Sequence, residues 1–248
     1  MDRVLKQTLF TSEISPPAAG FHQQPKRMKF THLLTAAVCA LVLTSPTHAA
    51  TVTWGAATNI SGDTDVSTNG TLVGAINIGA PGVANTTVNG VLFTGLALTG
   101  NNVTSGNFNL ATAGGFGASN GLGSGTPPFS ALSEPYQTLL ASAATSFTVG
   151  ITLTMSGLTV GDTYEFQWWS NASGGTASVL TTATAGNSVT LATSPSGGQG
   201  EVGQFAIGTF IADSTSQVVT FNGPVQDILN GSSSACQPGL STCQRCRM

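Results

Sequence analysis

The segment FTVGITLTM, residues 147–155, constrains the fold more than any other part of this sequence, because large apolar and small polar residues alternate along it without a break. Successive side chains of a β-strand point to opposite faces, so the apolar residues share one face and the threonines share the other. This pattern is typical of a half-buried strand in an antiparallel sheet. The turn SGLTVGD follows and a second strand is predicted at residues 163–169, so we expect the two strands to form a hairpin.

Other strands are predicted at short, regular spacing along the chain. They cover residues 51–54, 72–78, 86–96, 177–183, 188–192, 204–212 and 217–221. Asn89-Gly90 favours a tight primed turn that divides residues 86–96 into two short strands. So many short strands predict an all-β fold, an antiparallel β-sandwich that is jelly-roll-like, over residues 50–232.

One short helix is predicted in SEPYQTLLASA, residues 133–143. Ser133 suits the N-cap position, and Glu134 and Pro135 suit the first turn. Tyr136 and the leucines around it share one face, which we expect to pack on a sheet. Residues 99–130 are rich in Gly, Asn and Ser, so they are interpreted as a long surface excursion.

Residues 28–49 have the features of a secretory signal peptide. Basic residues around Met28 precede the apolar run LLTAAVCALVL, and small residues follow it. This run is too short to span a bilayer, and cleavage is predicted after Ala49 or Ala50. Residues 1–27 are interpreted as an upstream extension. The mature protein is therefore predicted to be secreted or held at the cell surface, with no transmembrane segment.

The predicted domain has no basic side chain. Between the predicted cleavage site and Arg245 the sequence contains no Lys, Arg or His, and its ionisable acids are Asp63, Asp65, Glu134, Asp162, Glu165, Glu201, Asp213 and Asp227. Nucleic acids and phosphates are bound mainly by Lys and Arg, so binding of these ligands is excluded. Ser-His-Asp catalysis needs an imidazole, so this mechanism is excluded as well. Glycoside hydrolysis by paired carboxylates, calcium binding and recognition of a neutral ligand remain. No cofactor is predicted.

The segment SGDTDVSTNG, residues 61–70, offers oxygen ligands from Asp63, Asp65 and Asn69. It departs from the calcium-loop pattern because Ser67 and Thr68 stand where a ligand and the glycine belong. Asp and Asn in tight loops also cap turns through hydrogen bonds to nearby backbone groups. Both alternatives stay open, and no metal site is predicted.

The C-terminal segment after VQDILNG is polar and contains three cysteines. Cys236, Cys243 and Cys246 include one C-x-x-C pair, but with no His they supply at most three ligands, which is too few for a structural zinc site. We interpret residues 233–248 as a disordered tail, the product of a frameshift or truncation that replaced a final apolar strand. An unpaired sheet edge is then expected.

Two adjacent tryptophans end the segment GDTYEFQWWSNAS. In a strand, Trp168 shares a face with Tyr164 and Phe166, and this face is predicted to be core. Aromatic rings stack on sugar rings while amides and carboxylates bind sugar hydroxyls. A carbohydrate-contacting patch is therefore predicted from four residues on or beside the other face: Trp169, Glu165, Gln167 and Asn171. The alternative is that Trp169 is covered by the 99–130 loop or by a sheet edge.

Four segments carry a family resemblance: SGDTDVSTNGTLV, TTVNGVLFTG, GLTVGDTYEFQWWSNAS and GQFAIGTFIADSTSQVVTFNG. Residues 51–223 resemble uncharacterised secreted bacterial β-sandwich domains found in proteins with a PEP-CTERM-type sorting tail and in surface proteins. The strand GDTYEFQWW is also similar to its counterpart in carbohydrate-binding jelly-roll modules. The chain lacks the Pro-Glu-Pro motif and closing basic cluster of such sorting tails.

These observations predict a non-catalytic protein, structural or adhesive, whose partner is a neutral glycan or another cell-surface component. Two alternatives stay open: a glycoside hydrolase that uses two of the carboxylates, and a truncated product without function. Retaining hydrolysis needs two carboxyl groups about 5 to 5.5 Å apart, a distance that sequence alone does not give.

Overall fold

The structure, a computed structural model, describes residues 49–146, 150–223 and 227–236. In chain order the strands are β1 (Thr53–Trp54), β2 (Thr58–Asn59), β3 (Thr71–Gly79), β4 (Thr86–Val88), β5 (Val91–Ala97), β6 (Asn102–Ser105), β7 (Phe108–Ala111), β8 (Gly117–Ser119), β9 (Ala143–Ser146), β10 (Ile151–Ser156), β11 (Thr163–Ser170), β12 (Leu180–Ala185), β13 (Asn187–Ala192), β14 (Gln204–Ile211), β15 (Ser216–Asn222), β16 (Asp227–Leu229) and β17 (Gly231–Cys236). One α-helix, α1 (Glu134–Ala141), and two short 3-10 turns, Asp63–Asp65 and Phe129–Ala131, complete the described elements.

The strands form two large sheets and one small sheet. The first has the order β1-β14-β11-β17-β3-β5-β4, with β2 also pairing with β14, and the second has the order β13-β12-β15-β10-β7-β6. The small sheet has the order β16-β9-β8. Within the described pairings, β3 and β5 are parallel and the other neighbours are antiparallel. The predicted all-β sandwich with one short helix is confirmed.

The two large sheets bury their facing apolar residues in one core. On β10 the predicted alternation is confirmed, because Ile151, Leu153 and Met155 are buried and the threonines between them are not. Trp168 of β11 meets Phe221 of β15 edge to face, with ring centroids 4.9 Å apart. The start of the predicted strand, residues 147–149, lies outside the described residues.

The predicted hairpin between β10 and β11 is wrong. β10 pairs with β7 and β15 in the second sheet, whereas β11 pairs with β14 and β17 in the first. Gly157 and Gly161 adopt positive φ angles in the connection, which L side chains disfavour, and there the chain crosses from one sheet to the other. Since both strands carry an apolar face, placing them in opposed sheets lets those faces pack against the same core.

The predicted surface excursion over residues 99–130 is also corrected. It contains the β6–β7 hairpin at the edge of the second sheet. Phe108 and Leu110 of β7 are fully buried in the core between the sheets. The sequence analysis missed this strand because only two large apolar residues alternate there, within a segment rich in Gly, Asn and Ser. The predicted Asn89-Gly90 turn is confirmed, with φ of 49° and 78° at the two residues.

The predicted start of the tail at Ser233 is wrong. Residues 231–236 form β17, which lies between β11 and β3 in the middle of the first sheet. The backbone groups of β11 and β3 form ladder hydrogen bonds with β17 on either side. Such bonds join main-chain groups, so they do not require apolar side chains on β17. The small serines of β17 fit opposite the large side chains of Phe166 and Trp168. Residues 237–248, with Cys243 and Cys246, lie outside the described residues.

Candidate functional site

The four residues of the predicted carbohydrate-contacting patch are all buried. The exposed fractions of Trp169, Glu165, Gln167 and Asn171 lie between 0% and 5%. A sugar ring cannot stack on an indole that no solvent reaches, so the predicted patch is not a binding surface in this structure. β11 is instead covered on both faces.

The segment of residues 61–70 covers the polar part of this second face. Gln167 donates through Nε2 to the Asp65 carbonyl at 2.7 Å, and its Oε1 accepts from the Ser67 amide at 2.9 Å. Glu165 accepts through Oε2 from Asn69 Nδ2 at 3.2 Å. The polar side chains that suggested contact with a ligand therefore bind the chain's own loop.

Helix α1 covers the aromatic part of the second face. Trp169 Nε1 donates to the Tyr136 hydroxyl at 3.0 Å, and the indole meets Phe93 edge to face at 5.6 Å. The prediction of α1 is confirmed: the Ser133 side chain caps it by accepting from the Tyr136 amide at 3.3 Å. The alternative interpretation of a covered Trp169 matches this burial: α1 packs on the indole, and Phe129 of the 99–130 segment belongs to the same buried cluster.

Asn171 fastens the C-terminal end of α1 to the sheet. Its Nδ2 donates to the Leu140 carbonyl at 3.0 Å, and its Oδ1 accepts from the Gly203 amide at 3.0 Å and from the Ser173 hydroxyl at 2.6 Å. Asn230 Nδ2 donates to the same Leu140 carbonyl at 2.8 Å. The Asn171 side-chain amide therefore has hydrogen-bond partners within the protein, and it joins α1 to the segment that follows β11.

The two carboxylates of the loop bind donors from their own surroundings. Asp65 accepts from the Ser61 amide at 2.6 Å, the Ser61 hydroxyl at 2.7 Å and the Gly62 amide at 3.0 Å. Asp63 accepts from the Ser133 hydroxyl at 2.6 Å. This geometry fits the turn-capping alternative. Over the part of the chain that the structure describes, there is no group of three or more His, Cys, Asp or Glu side chains placed to hold a metal.

Tyr136 joins this loop to the buried indole. Its hydroxyl accepts from Trp169 and lies 3.4 Å from Asp65 Oδ2, to which it donates. Burial raises the pKa of Tyr136 well above its ordinary value, and the negative charge of Asp65 raises it further. The phenol is therefore held neutral, as a hydrogen-bonding group between two elements.

A cleft of about 560 Å³ lies beside α1. It is lined by α1 together with two loops, residues 82–84 and 120–125. Its side chains include Asn77, Asn120, Phe129, Glu134, Gln137 and Thr138. Pockets that bind small molecules usually measure about 300 to 1,000 Å³, so this cleft has the size of a ligand site.

Internal hydrogen bonds hold both loops of the cleft in place. Asn120 accepts from the Ala80 amide at 2.9 Å and donates to the Ala80 carbonyl at 3.3 Å, which joins one loop to the other. Asn77 Nδ2 donates to the Ala84 carbonyl at 2.9 Å, and the Leu122 amide donates to the Ala141 carbonyl at 2.8 Å. Hydrogen bonds within the chain thus hold both walls of the cleft.

The lining of the cleft is neutral except for one carboxylate, Glu134. From the sequence, Glu134 was interpreted as a first-turn residue of the helix and as one of eight carboxylates open to a hydrolase, and the glycines of residues 121–125 received no role. The available signal was the glycine-rich run GLGSG shortly before a capped helix. It identifies a loop next to a helix, but it does not say that the two enclose a space.

Among the described residues, α1 is the single α-helix, and no helix has the length and apolar character needed to cross a membrane. The fold and site define a class, an all-β sandwich with a largely uncharged cleft beside its helix. Comparisons with family models, curated proteins and solved structures give no match to this chain.

Proposed function

We propose that this protein is a non-catalytic secreted or cell-surface β-sandwich protein, structural or adhesive, that binds neutral carbohydrate. The observation that carries the proposal is the cleft beside α1, whose lining offers amide, hydroxyl and backbone groups with a single carboxylate. Such groups exchange hydrogen bonds with sugar hydroxyls and need no cation to do so.

The charge of the domain supports a neutral ligand. Residues 49–236 contain eight carboxylates and no Lys, Arg or His, which gives a formal charge of −8 for this part of the chain. Anionic ligands approach such a surface against its field, and no side chain of the described residues carries a positive charge to bind them. Neutral polysaccharides are not repelled by this negative charge, and their binding needs no positively charged side chain.

Glycoside hydrolysis receives less support than binding does. It needs two carboxyl groups that flank one glycosidic bond, one acting as an acid and one as a base or nucleophile. The lining of the cleft includes one carboxylate, Glu134. Asp63 accepts a hydrogen bond from Ser133, the N-cap of α1, and Asp65 accepts one from Ser61. These carboxylates are therefore used in hydrogen bonds within the protein.

Export is part of the proposal. The signal-peptide features of residues 28–49 direct the domain to the cell exterior, where polysaccharides are abundant partners. The resemblance to secreted bacterial surface domains points to the same location.

A carbohydrate array tests this function. The protein recovered after export is purified, labelled, and applied to neutral and anionic glycans at two salt concentrations. We expect binding to at least one neutral class that changes little with salt, because no ion pair contributes. Binding restricted to anionic glycans, or to none of the glycans, contradicts the proposal. Release of reducing sugar from a bound glycan favours the hydrolase instead.

A further inference from the structure

We infer that the cleft beside α1 is the carbohydrate site, and that it holds a neutral oligosaccharide through hydrogen bonds to the helix and not through stacking on an aromatic ring. This inference rests on the proposed function and gives it a location. The stacking residue expected from the sequence, Trp169, is fully buried.

The helix wall of the cleft presents hydrogen-bond acceptors. Glu134, Gln137 and Thr138 are three and four residues apart, so they lie on one face of α1. No described group donates to the Glu134 carboxylate, which is exposed. Gln137 uses Nε2 on the Leu132 carbonyl at 2.7 Å, and Thr138 donates to the Glu134 carbonyl at 2.9 Å. The side-chain oxygens of these three residues can thus accept hydrogen bonds from ligand hydroxyls.

The opposite wall presents backbone. Gly121, Gly123 and Gly125 line the cleft and have no side chains, so a ligand can approach the main chain closely at these three positions. A Cβ at Gly123 would meet the Phe129 ring at 2.8 Å, which places that ring directly behind the loop. Phe129 is only 2% exposed, so its face does not serve as a stacking platform.

The ligand that fits these walls carries many hydroxyl groups and no negative charge. Hydroxyls both donate to the helix acceptors and bind the loop peptide groups, whereas a carboxylate or sulfate would face Glu134 at close range. Because the loops are already held by Asn120 and Asn77, binding needs little ordering of the protein.

Gly121 and Gly125 are positions at which an added side chain tests the cleft. A Cβ at either residue meets no atom within 4 Å, and neither residue has a positive φ, so the backbone accepts a side chain there. Gly100 has the same properties but lies outside the lining of the cleft, and it provides the matched control. We expect Gly121→Trp and Gly125→Trp to weaken binding more than about tenfold, and Gly100→Trp to leave it unchanged, with thermal unfolding of all three close to wild type.

A charge variant tests the role of the helix. Glu134→Gln keeps the shape of the side chain and removes its charge, and we expect binding to weaken by about tenfold because charge-assisted hydrogen bonds are the stronger ones. The resulting affinities are measured by calorimetry with maltohexaose, cellohexaose and xylohexaose, and with a chitosan hexamer as the cationic probe.

The possible outcomes distinguish an error in the location of the binding site from an error in the proposed function. Binding that both cleft-filling variants abolish and that Gly100→Trp retains supports the inference. Binding of a neutral hexasaccharide that survives both cleft-filling variants overturns the site but leaves the proposed function standing. Salt-sensitive binding of the chitosan hexamer alone overturns the neutral ligand class. Absence of binding to every probe overturns the inference and the proposed function together.

Discussion

The Trp169 indole donates a 3.0 Å hydrogen bond to the Tyr136 hydroxyl, and both side chains are fully buried. This contact joins β11 to α1 and fixes the helix that forms one wall of the cleft. It also answers what the second of two adjacent tryptophans does. Trp168 fills the core between the sheets, and Trp169 fills a second core between the first sheet and α1.

Tyr136→Phe is expected to destabilise the protein by about 1 to 3 kcal/mol. The change leaves the Trp169 Nε1 group buried without an acceptor, and a buried donor that loses its partner costs about that much. Urea unfolding measures the effect. Trp169→Phe and the double variant complete a double-mutant cycle, in which we expect a coupling energy of at least about 0.5 kcal/mol. Additive effects would show that the two groups do not interact.

Above about pH 10 the stability of the wild type is expected to fall more steeply with pH than that of Tyr136→Phe. Burial and the Asp65 charge raise the pKa of Tyr136 in the folded state, whereas in the unfolded chain a tyrosine ionises near pH 10. Above about pH 10 the unfolded state therefore binds fewer protons, and stability falls with pH by up to about 1.4 kcal/mol per unit for this group. Below pH 10 the group contributes no slope.

Urea unfolding at a series of pH values between 8 and about 11.5 checks this prediction. The difference in slope between wild type and Tyr136→Phe isolates the contribution of Tyr136, because the other ionisable groups are common to both proteins. Parallel pH profiles above pH 10 would contradict the assignment of a neutral, buried phenol.

Ser234→Ala is expected to stabilise the protein by about 1 kcal/mol. The Ser234 hydroxyl is buried on β17 without a hydrogen-bond partner, and removing an unsatisfied polar group recovers its desolvation cost. Ser142→Ala is the control, because the Ser142 hydroxyl donates to Asn77 Oδ1 at 2.6 Å and its loss should be destabilising. A stability loss in Ser234→Ala larger than about 0.5 kcal/mol would mean that this hydroxyl has a partner in solution.

If the domain is exported as proposed, its first residue is expected to be Ala50. Ala50 is 7% exposed and belongs to the core between the sheets, and its carbonyl accepts from Gln217 Nε2 at 2.9 Å. Cleavage after Ala49 keeps these contacts, whereas cleavage after Ala50 removes them. Intact mass and N-terminal sequencing of the secreted protein distinguish the two products. A mature chain that begins at Thr51 would contradict this preference.

The fold was more predictable than the site, and particular residues explain why. Period-two patterns predicted β10 and β11 and assigned Trp168 and Trp169 to opposite faces, because side-chain direction in a strand depends only on position. The same pattern could not tell a solvent-facing surface from one covered by a second layer. Glu165 and Gln167 look solvent-facing, but their partners, Asn69 and the backbone around Asp65, lie about 100 residues away in the chain.

β17 was missed for a different reason. Its sequence, GSSSAC, has none of the apolar alternation that predicts strands, and its pairing comes from the backbone groups of β11 and β3 on either side. The cleft was missed because it arises from the meeting of α1 with two glycine-containing loops, and sequence spacing does not report such an enclosure.

Amide chemical-shift mapping tests the location of the ligand site most directly. Maltohexaose, cellohexaose and xylohexaose are titrated separately into the ¹⁵N-labelled full chain. For a hexasaccharide that binds, we predict shifts at Gly121, Gly123 and Thr138 that saturate with ligand, while the Trp169 indole signal stays in place. Shifts centred on Trp169 and Gln167, with the cleft amides unchanged, would contradict the account.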